Sequence, residues 1–379
     1  MIRLTSPSIE EADLLAVREA LMSGQLVQGS RVADFESAVA DYVGANFAVA
    51  VSSCTAALHL ALLATGIGPG DLVVVTAYSF VATANVIELC GAKPVFVDIE
   101  PDTFNLDPNC LEDVLKRLVA AGGGARRPKA VIPVHTFGQV ADMPAITKLA
   151  DRYELAVIED AACALGATLH GRQAGAWGRM GCFSFHPRKA ITTGEGGVVV
   201  TNDAAVARHV RALRNHGQDP DASSPDFIMP GFNYRMTEFQ AALGLTQMGK
   251  LDRIIAARRS LAVHYSELLQ DTPVRAPAVA AGSQPAYQSY VVLLPERAAA
   301  SRAELVTGLK ERGVECTIGT WHMPMTTYFR RRYDYRPGDY PVADGVFAAS
   351  MTLPLYEGLS PSEQEQVVGA LRDSLQLLE

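Results

Sequence analysis

Between about residues 48 and 201, short β-rich runs alternate with helical patterns. The runs fall at 72–76, 94–99, 130–134, 155–159, 182–185 and 197–201. Most are apolar at nearly every position rather than at every second one, which is how a strand covered on both faces reads. Helical spacing fills 55–64, 81–90, 111–121 and 143–153. Strand and helix in alternation predict an α/β layer fold with a mainly parallel central sheet. The polar or glycine-rich stretches 122–127 and 218–226 are expected to be exposed loops.

A long helical pattern at 236–269 is expected to join a large domain, 1–245 with its N-terminal segment, to a smaller C-terminal α/β domain, 246–379. That second part carries one strong strand pattern at 290–294 and helical patterns at 302–312 and 361–377. A chain of 379 residues is long enough for both cores. A net charge of −8, with no basic block, gives no general pull toward nucleic acid. No apolar run approaches the ~20 residues that span a bilayer, and the first residues lack the apolar core of a signal peptide. No membrane partner and a cytoplasmic location are therefore expected. The six cysteines form no CxxC pair, so neither a metal site nor a disulfide framework is expected, and reduced thiols fit a cytoplasm.

Chemistry is best sought at Lys189. Lysine is scarce in this chain, arginine plentiful. Lys189 stands between the apolar run Cys182-Phe-Ser-Phe and the glycine-rich turn Thr193-Gly-Glu-Gly-Gly197. A primary amine at a strand end can form a Schiff base with a carbonyl, which a guanidinium cannot. A lysine there can also simply snorkel to the surface. Three other motifs bear on the choice. In Val157-Ile-Glu-Asp160-Ala-Ala-Cys163, an acidic pair ends a buried run, where α/β sheets place ligand contacts. Asp160 there suits a protonated heterocyclic nitrogen, or a helix N-cap. In Val51-Ser-Ser-Cys54-Thr55, small hydroxyl residues open a helix, as a phosphate site or as plain caps at Ser53 or Thr55. In Gly231-Phe-Asn233-Tyr-Arg, a polar turn leads into the long helix, and nothing local distinguishes a site from a loop. In this order, helix start, strand-end acid and lysine beside Ser184 would serve the phosphate, ring nitrogen and aldehyde of pyridoxal 5'-phosphate (PLP).

On these runs, and most specifically on Phe183-Ser-Phe-His-Pro-Arg-Lys189 followed by Thr192-Thr-Gly-Glu-Gly-Gly197, the chain resembles the PLP-dependent sugar aminotransferases of the DegT/StrS type. These belong to the aspartate aminotransferase fold class, fold type I. The resemblance implies that Lys189 is the Schiff-base lysine and moves protons, and that Asp160 pairs with the ring nitrogen. It implies that Ser184, Thr55 and the backbone of Cys54 hold the phosphate, and that Phe80 stacks on the ring. Asn233 would reach the phosphate of a neighbouring subunit, making a homodimer with shared active sites. The reaction implied is ping-pong, from glutamate to the keto group of a nucleotide-linked sugar. A keto-cyclitol or other keto substrate, different PLP chemistry, and a PLP-binding regulator that does not transaminate are the alternatives. Relatives that dehydrate sugars carry histidine at the lysine position, so Lys189 argues for transamination.

The chain departs from the family pattern at three places. Cys163 stands where glutamine or histidine usually contacts the ring's 3-oxygen, and a thiol is a weaker partner. Cys54 stands where glycine or another small residue is common. The stretch Cys316-Thr-Ile-Gly-Thr-Trp321-His322 differs from the commoner histidine-bearing version, and Trp321 and His322 are candidate substrate contacts. His186 is a packing or substrate-lining candidate, and no metal ligand.

Overall fold

A computed structural model describes residues 1–120 and 127–377 of the chain. Most of the expected loop at 122–127 lies outside the described residues, whereas 218–226 is largely exposed, as expected. The central sheet has seven strands: β1 (Phe47–Val51), β2 (Leu72–Thr76), β3 (Lys93–Val97), β4 (Pro128–Ile132), β5 (Ala156–Asp160), β6 (Met180–Ser184) and β7 (Gly197–Thr201). Their spatial order is β1-β7-β6-β5-β4-β2-β3. β3, β2, β4, β5 and β6 pair in parallel, and β7 runs antiparallel to β6 and β1. Six of the seven were legible as apolar runs; β1 was not singled out.

Successive strand residues enter two different cores, which is why these runs lack polar alternation. Val74, Val131, Phe183 and Val200 pack on one side. Val73, Val75, Ile132, Ile158, Cys182 and Val199 pack on the other. Helices cover both sides, so polar positions are excluded from nearly the whole strand.

The helix expected at 236–269 is two helices, Glu238–Met248 and Leu251–Leu268. The break falls at Gly249 and Lys250, the latter at φ −105° and ψ −7°. Lys250 is held there by its ammonium group, which donates to Asp13 at 2.6 Å and to the Ser8 carbonyl at 2.9 Å. The second helix spans two cores: Ile254 and Ile255 pack beside the central sheet, Leu261 and Tyr265 in a third core.

That third core contains an antiparallel sheet of β8 (Tyr290–Leu293), β9 (Thr317–Ile318) and β10 (Ser350–Leu353), with β10 central. The helices Arg302–Glu311 and Pro361–Gln376 cover it. The chain's start joins it: the Ile2 amide donates to Gly313 O at 2.7 Å, and Leu355 N donates to Leu4 O at 3.1 Å. No described helix is long and apolar enough to cross a membrane.

Candidate active site

The parallel strands all end at one edge of the sheet, and a cavity of about 740 Å³ opens there. Its walls come from the ends of β5 and β6, from the segments that follow β1, β2 and β4, and from β9, β10 and their flanks in the third core. This is the edge where open α/β sheets bind ligands. A second depression of about 820 Å³, around Arg127, Lys129 and Trp177, holds none of the sequence-predicted site residues.

Lys189 is carried by the turn after β6. The turn is tied by Lys189 N donating to His186 O at 2.8 Å and by Arg188 N donating to His186 Nδ1 at 3.2 Å. The Lys189 ammonium donates to Cys163 Sγ at 3.2 Å. Burial pushes the Lys189 ammonium down, but Cys163, its hydrogen-bond partner, and the Asp160 carboxylate push it up, and its net shift is upward. A proton must therefore leave Nζ before the amine can attack a carbonyl.

The acidic pair divides between the two faces of β5. Asp160 points into the cavity, where Oδ2 accepts from Thr83 Oγ1 at 2.7 Å and Oδ1 from Ala162 N at 3.1 Å. A turn rather than a helix follows, so Asp160 is no helix cap. Glu159 points away from the cavity and is fully buried. It accepts from Gly175 N, Trp177 N, Gly178 N and His135 Nε2 at 2.6–2.8 Å. His135 Nδ1 accepts from Ala141 N at 3.2 Å, which fixes the proton on Nε2. One carboxylate of the pair faces ligand space; the other fastens the 175–178 loop.

Ser53 is the cap of the helix Cys54–Ala64, accepting from Ala56 N at 3.1 Å. Cys54 and Thr55 occupy the first turn, whose N–H groups have no partner within the helix. Both residues line the cavity, with Thr55 exposed. Burial, with Asp160 and Cys182 nearby, pushes the Cys54 thiol well up, so Cys54 offers its backbone and a neutral side chain.

Beneath this helix start lies Gly197, paired with Val51 on one side and Ser184 on the other. A Cβ on Gly197 would fall 2.4 Å from Ser53 C and O and 2.5 Å from Cys54 N. Those are backbone atoms, which cannot swing aside. Gly197→Ala is therefore expected to lift the helix start, at a cost of about 1–3 kcal/mol. Retention of PLP should weaken roughly tenfold, measured by titrating the cofactor into apoenzyme of both forms. Equal affinities would show that the helix start does not hold the cofactor.

The other predicted residues divide between those the cavity gathers and those it does not. Ser184, Cys163, His186 and Phe80 line it, Phe80 being 61% exposed. Burial lowers the His186 imidazole below its ordinary value despite Glu195 at 3.9 Å. It is thus a neutral wall group near pH 7. Asn233 is exposed and lies off this wall, bridged to Asn215 through the backbone. Trp321 and His322 are also off it: they pair with Ser79 and Tyr78 as a two-residue strand. His322 is only 2% exposed and packs between Tyr340 and Phe347, and Trp321 stacks on the same Phe347. Their neighbours Gly319 and Thr320 line the cavity instead.

Thr83, Arg188, Gln288, Ser289 and Thr352 also line the cavity and were not singled out in the sequence. Thr83 follows Phe80 by three residues, at the start of the predicted helical stretch 81–90, and that spacing was the available clue. The C-terminal residues gave no sequence clue, since only the folded chain brings them to this edge.

An amine, a buried carboxylate and a helix start with free amides share one cavity. The cradle under the helix start is one that a single Cβ would fill, and the donor set fits PLP. The site and the sheet topology together define the class: an α/β enzyme working through PLP. The chain belongs to the DegT/DnrJ/EryC1/StrS aminotransferase family, whose model matches residues 7–372. It is a PLP-dependent aminotransferase. It is 40% identical over 347 residues to GDP-perosamine synthase of Caulobacter vibrioides, covering 90% of both chains. It is 38% identical over 382 residues to the spore coat polysaccharide biosynthesis protein SpsC of Bacillus subtilis, covering 97% of this chain and 95% of that one. The PLP form of Spr1654 from Streptococcus pneumoniae superposes with a TM-score of 0.92 at 26% identity, over 100% of this chain and 99% of the other.

Proposed function

We propose that the chain moves the amino group of glutamate to a keto group of a nucleotide-linked sugar, in two half-reactions at one site. The observation that carries this is the two-sided cavity. One side presents Lys189, Asp160 and the Cys54–Thr55 helix start. The other is lined by the hydroxyl-bearing residues Ser289, Thr317, Thr320 and Thr352 from the C-terminal part, a lining suited to a polyol. The names of GDP-perosamine synthase and of a polysaccharide biosynthesis protein among the relatives support a sugar substrate.

When bound, PLP supplies the electron sink and carries the amino group. Thr55, Cys54 N and Ser184 would hold its phosphate, Asp160 its ring nitrogen, and Phe80 its face. Thr83 aims Asp160 through the 2.7 Å hydrogen bond. Lys189 Nζ takes the proton from the donor's α-carbon and returns one to the sugar carbon that receives the amine. Cys163 Sγ sits within contact of that amine and orients it. Asn233, exposed and off its own cavity, is assigned to the site of a second copy in a homodimer.

The test is a pair of half-reactions with the PLP-loaded protein. Glutamate alone should bleach the visible band of the cofactor and release one equivalent of 2-oxoglutarate. A nucleotide-linked keto-sugar added afterwards should restore the band and leave as the amino-sugar. Failure of glutamate, with bleaching by another amino acid, would refute the donor. Restoration by a keto-cyclitol but by no nucleotide-linked keto-sugar would refute the acceptor.

A further inference from the structure

Both proposed substrates are anions, one through carboxylates and the other through a diphosphate. The cavity's charged groups are few. Asp160 and Glu195 are its acids; Lys189 and Arg188 its bases, with His186 beside them. Asp160 is engaged by Thr83 and Ala162, Lys189 by Cys163, and Glu195 lies 3.9 Å from His186 Nε2. That leaves Arg188, the only arginine on the wall among the described residues.

The backbone of Arg188 is fastened at both ends. Its amide donates to His186 Nδ1 at 3.2 Å, and its carbonyl accepts from Gln288 Nε2 at 3.0 Å. Gln288 comes from the C-terminal part, so this contact ties the catalytic turn to the opposite wall. The guanidinium itself is exposed and has no hydrogen-bond or ion-pair partner among the described residues. The buried arginines Arg214 and Arg258 are engaged through Nη1, Arg214 by Glu36 and the Ala50 carbonyl, Arg258 by three carbonyls. A guanidinium held at its root and free at its fork, one residue from the reacting amine, has the form of an oxyanion receptor.

We propose that Arg188 is the substrate-anion anchor of this site, binding an oxyanion pair by its planar fork and setting the distance of the reacting carbon from Lys189. The inference rests on the aminotransferase reading above and adds a specificity residue to it. Two sources offer that chemistry: the carboxylate of the amino donor and the diphosphate of the acceptor. The two half-reactions visit the site one after the other, so they can be tested separately.

The experiment uses PLP-loaded wild type, Arg188→Ala and Arg188→Lys. The donor arm titrates L-glutamate and reads the bleaching amplitude. The acceptor arm titrates GDP and UDP by calorimetry, with no turnover. Removing one charge-assisted contact should weaken binding roughly 10- to 100-fold in at least one arm. Arg188→Lys should recover only part of it, since the charge stays but the fork is lost. Weakening in the donor arm alone assigns the carboxylate; weakening in the acceptor arm alone assigns the diphosphate; weakening in both assigns one shared locus. Affinities unchanged in both arms for Arg188→Ala would overturn the proposal. Thermal unfolding of each variant separates a lost contact from a displaced turn: a weakened variant that also unfolds at markedly lower temperature would count against it. A wild type that responds to no amino donor and binds neither nucleotide would instead refute the underlying reading.

Discussion

Lys189→Ala is expected to lower turnover by about 10³-fold or more and to abolish covalent trapping of the cofactor. Both effects follow from one atom. Nζ is the only primary amine lining the cavity among the described residues, 3.2 Å from Cys163 Sγ. Among the other lysines, Lys116, Lys129 and Lys250 are tied to Glu112, Asp71 and Asp13, and Lys93 lies over the Tyr333 ring. None of these four, nor Lys148 or Lys310, lines the cavity. Lys189→Arg should be as inactive as Lys189→Ala, although it keeps the charge, because a guanidinium neither condenses with a carbonyl nor gives up its proton. That comparison separates a chemical role from an electrostatic one. Borohydride reduction of the loaded wild type, followed by peptide mass analysis, should place the label on Lys189 alone. A label on another lysine, or turnover within tenfold of wild type in either variant, would sink the assignment.

The cavity-lining residues singled out in the sequence include groups that lie close together along the chain. Lys189 and Ser184 share a single strand and turn, and Asp160 and Cys163 another. Each pair could be recognised by its own neighbours. The large sheet was legible for the same reason, since burial on both faces leaves a continuous apolar run. β1 and the C-terminal sheet were harder. β9 is a two-residue strand, and β10 mixes Ser350 and Thr352 with Met351 and Leu353. The candidate substrate contacts Trp321 and His322 directly follow the lining residues Gly319 and Thr320, and both pack against Phe347 instead. The break at Gly249–Lys250 depends on Asp13, more than two hundred residues away, and no local pattern announces such a partner. Thr83 was hidden differently. A threonine in a helical stretch reads as ordinary until its hydroxyl is seen 2.7 Å from Asp160.

That hydrogen bond makes Asp160 the site of the second large expected effect. Asp160→Asn should lower turnover by about 10²–10³-fold while leaving the unfolding transition nearly unchanged. Asparagine is nearly isosteric. Its carbonyl oxygen can still accept from Ala162 N, and its amide can donate to Thr83 Oγ1 in a reversed hydrogen bond. Shape and packing therefore survive, and only the negative charge is lost. If that charge is what keeps the ring nitrogen protonated, the loss should appear in the proton-transfer steps more than in cofactor affinity. Thr83→Val removes the aiming bond and leaves the charge. Its cost should be smaller, roughly tenfold, the lower end of the scale for a hydrogen bond to a charged group. The double variant decides whether Thr83 acts through Asp160. If it does, Thr83→Val adds nothing in the Asp160→Asn background, and the two effects are far from additive. Full additivity in pre-steady-state rates would make Thr83 an independent contact. Wild-type rates in Asp160→Asn would remove the carboxylate from the chemistry.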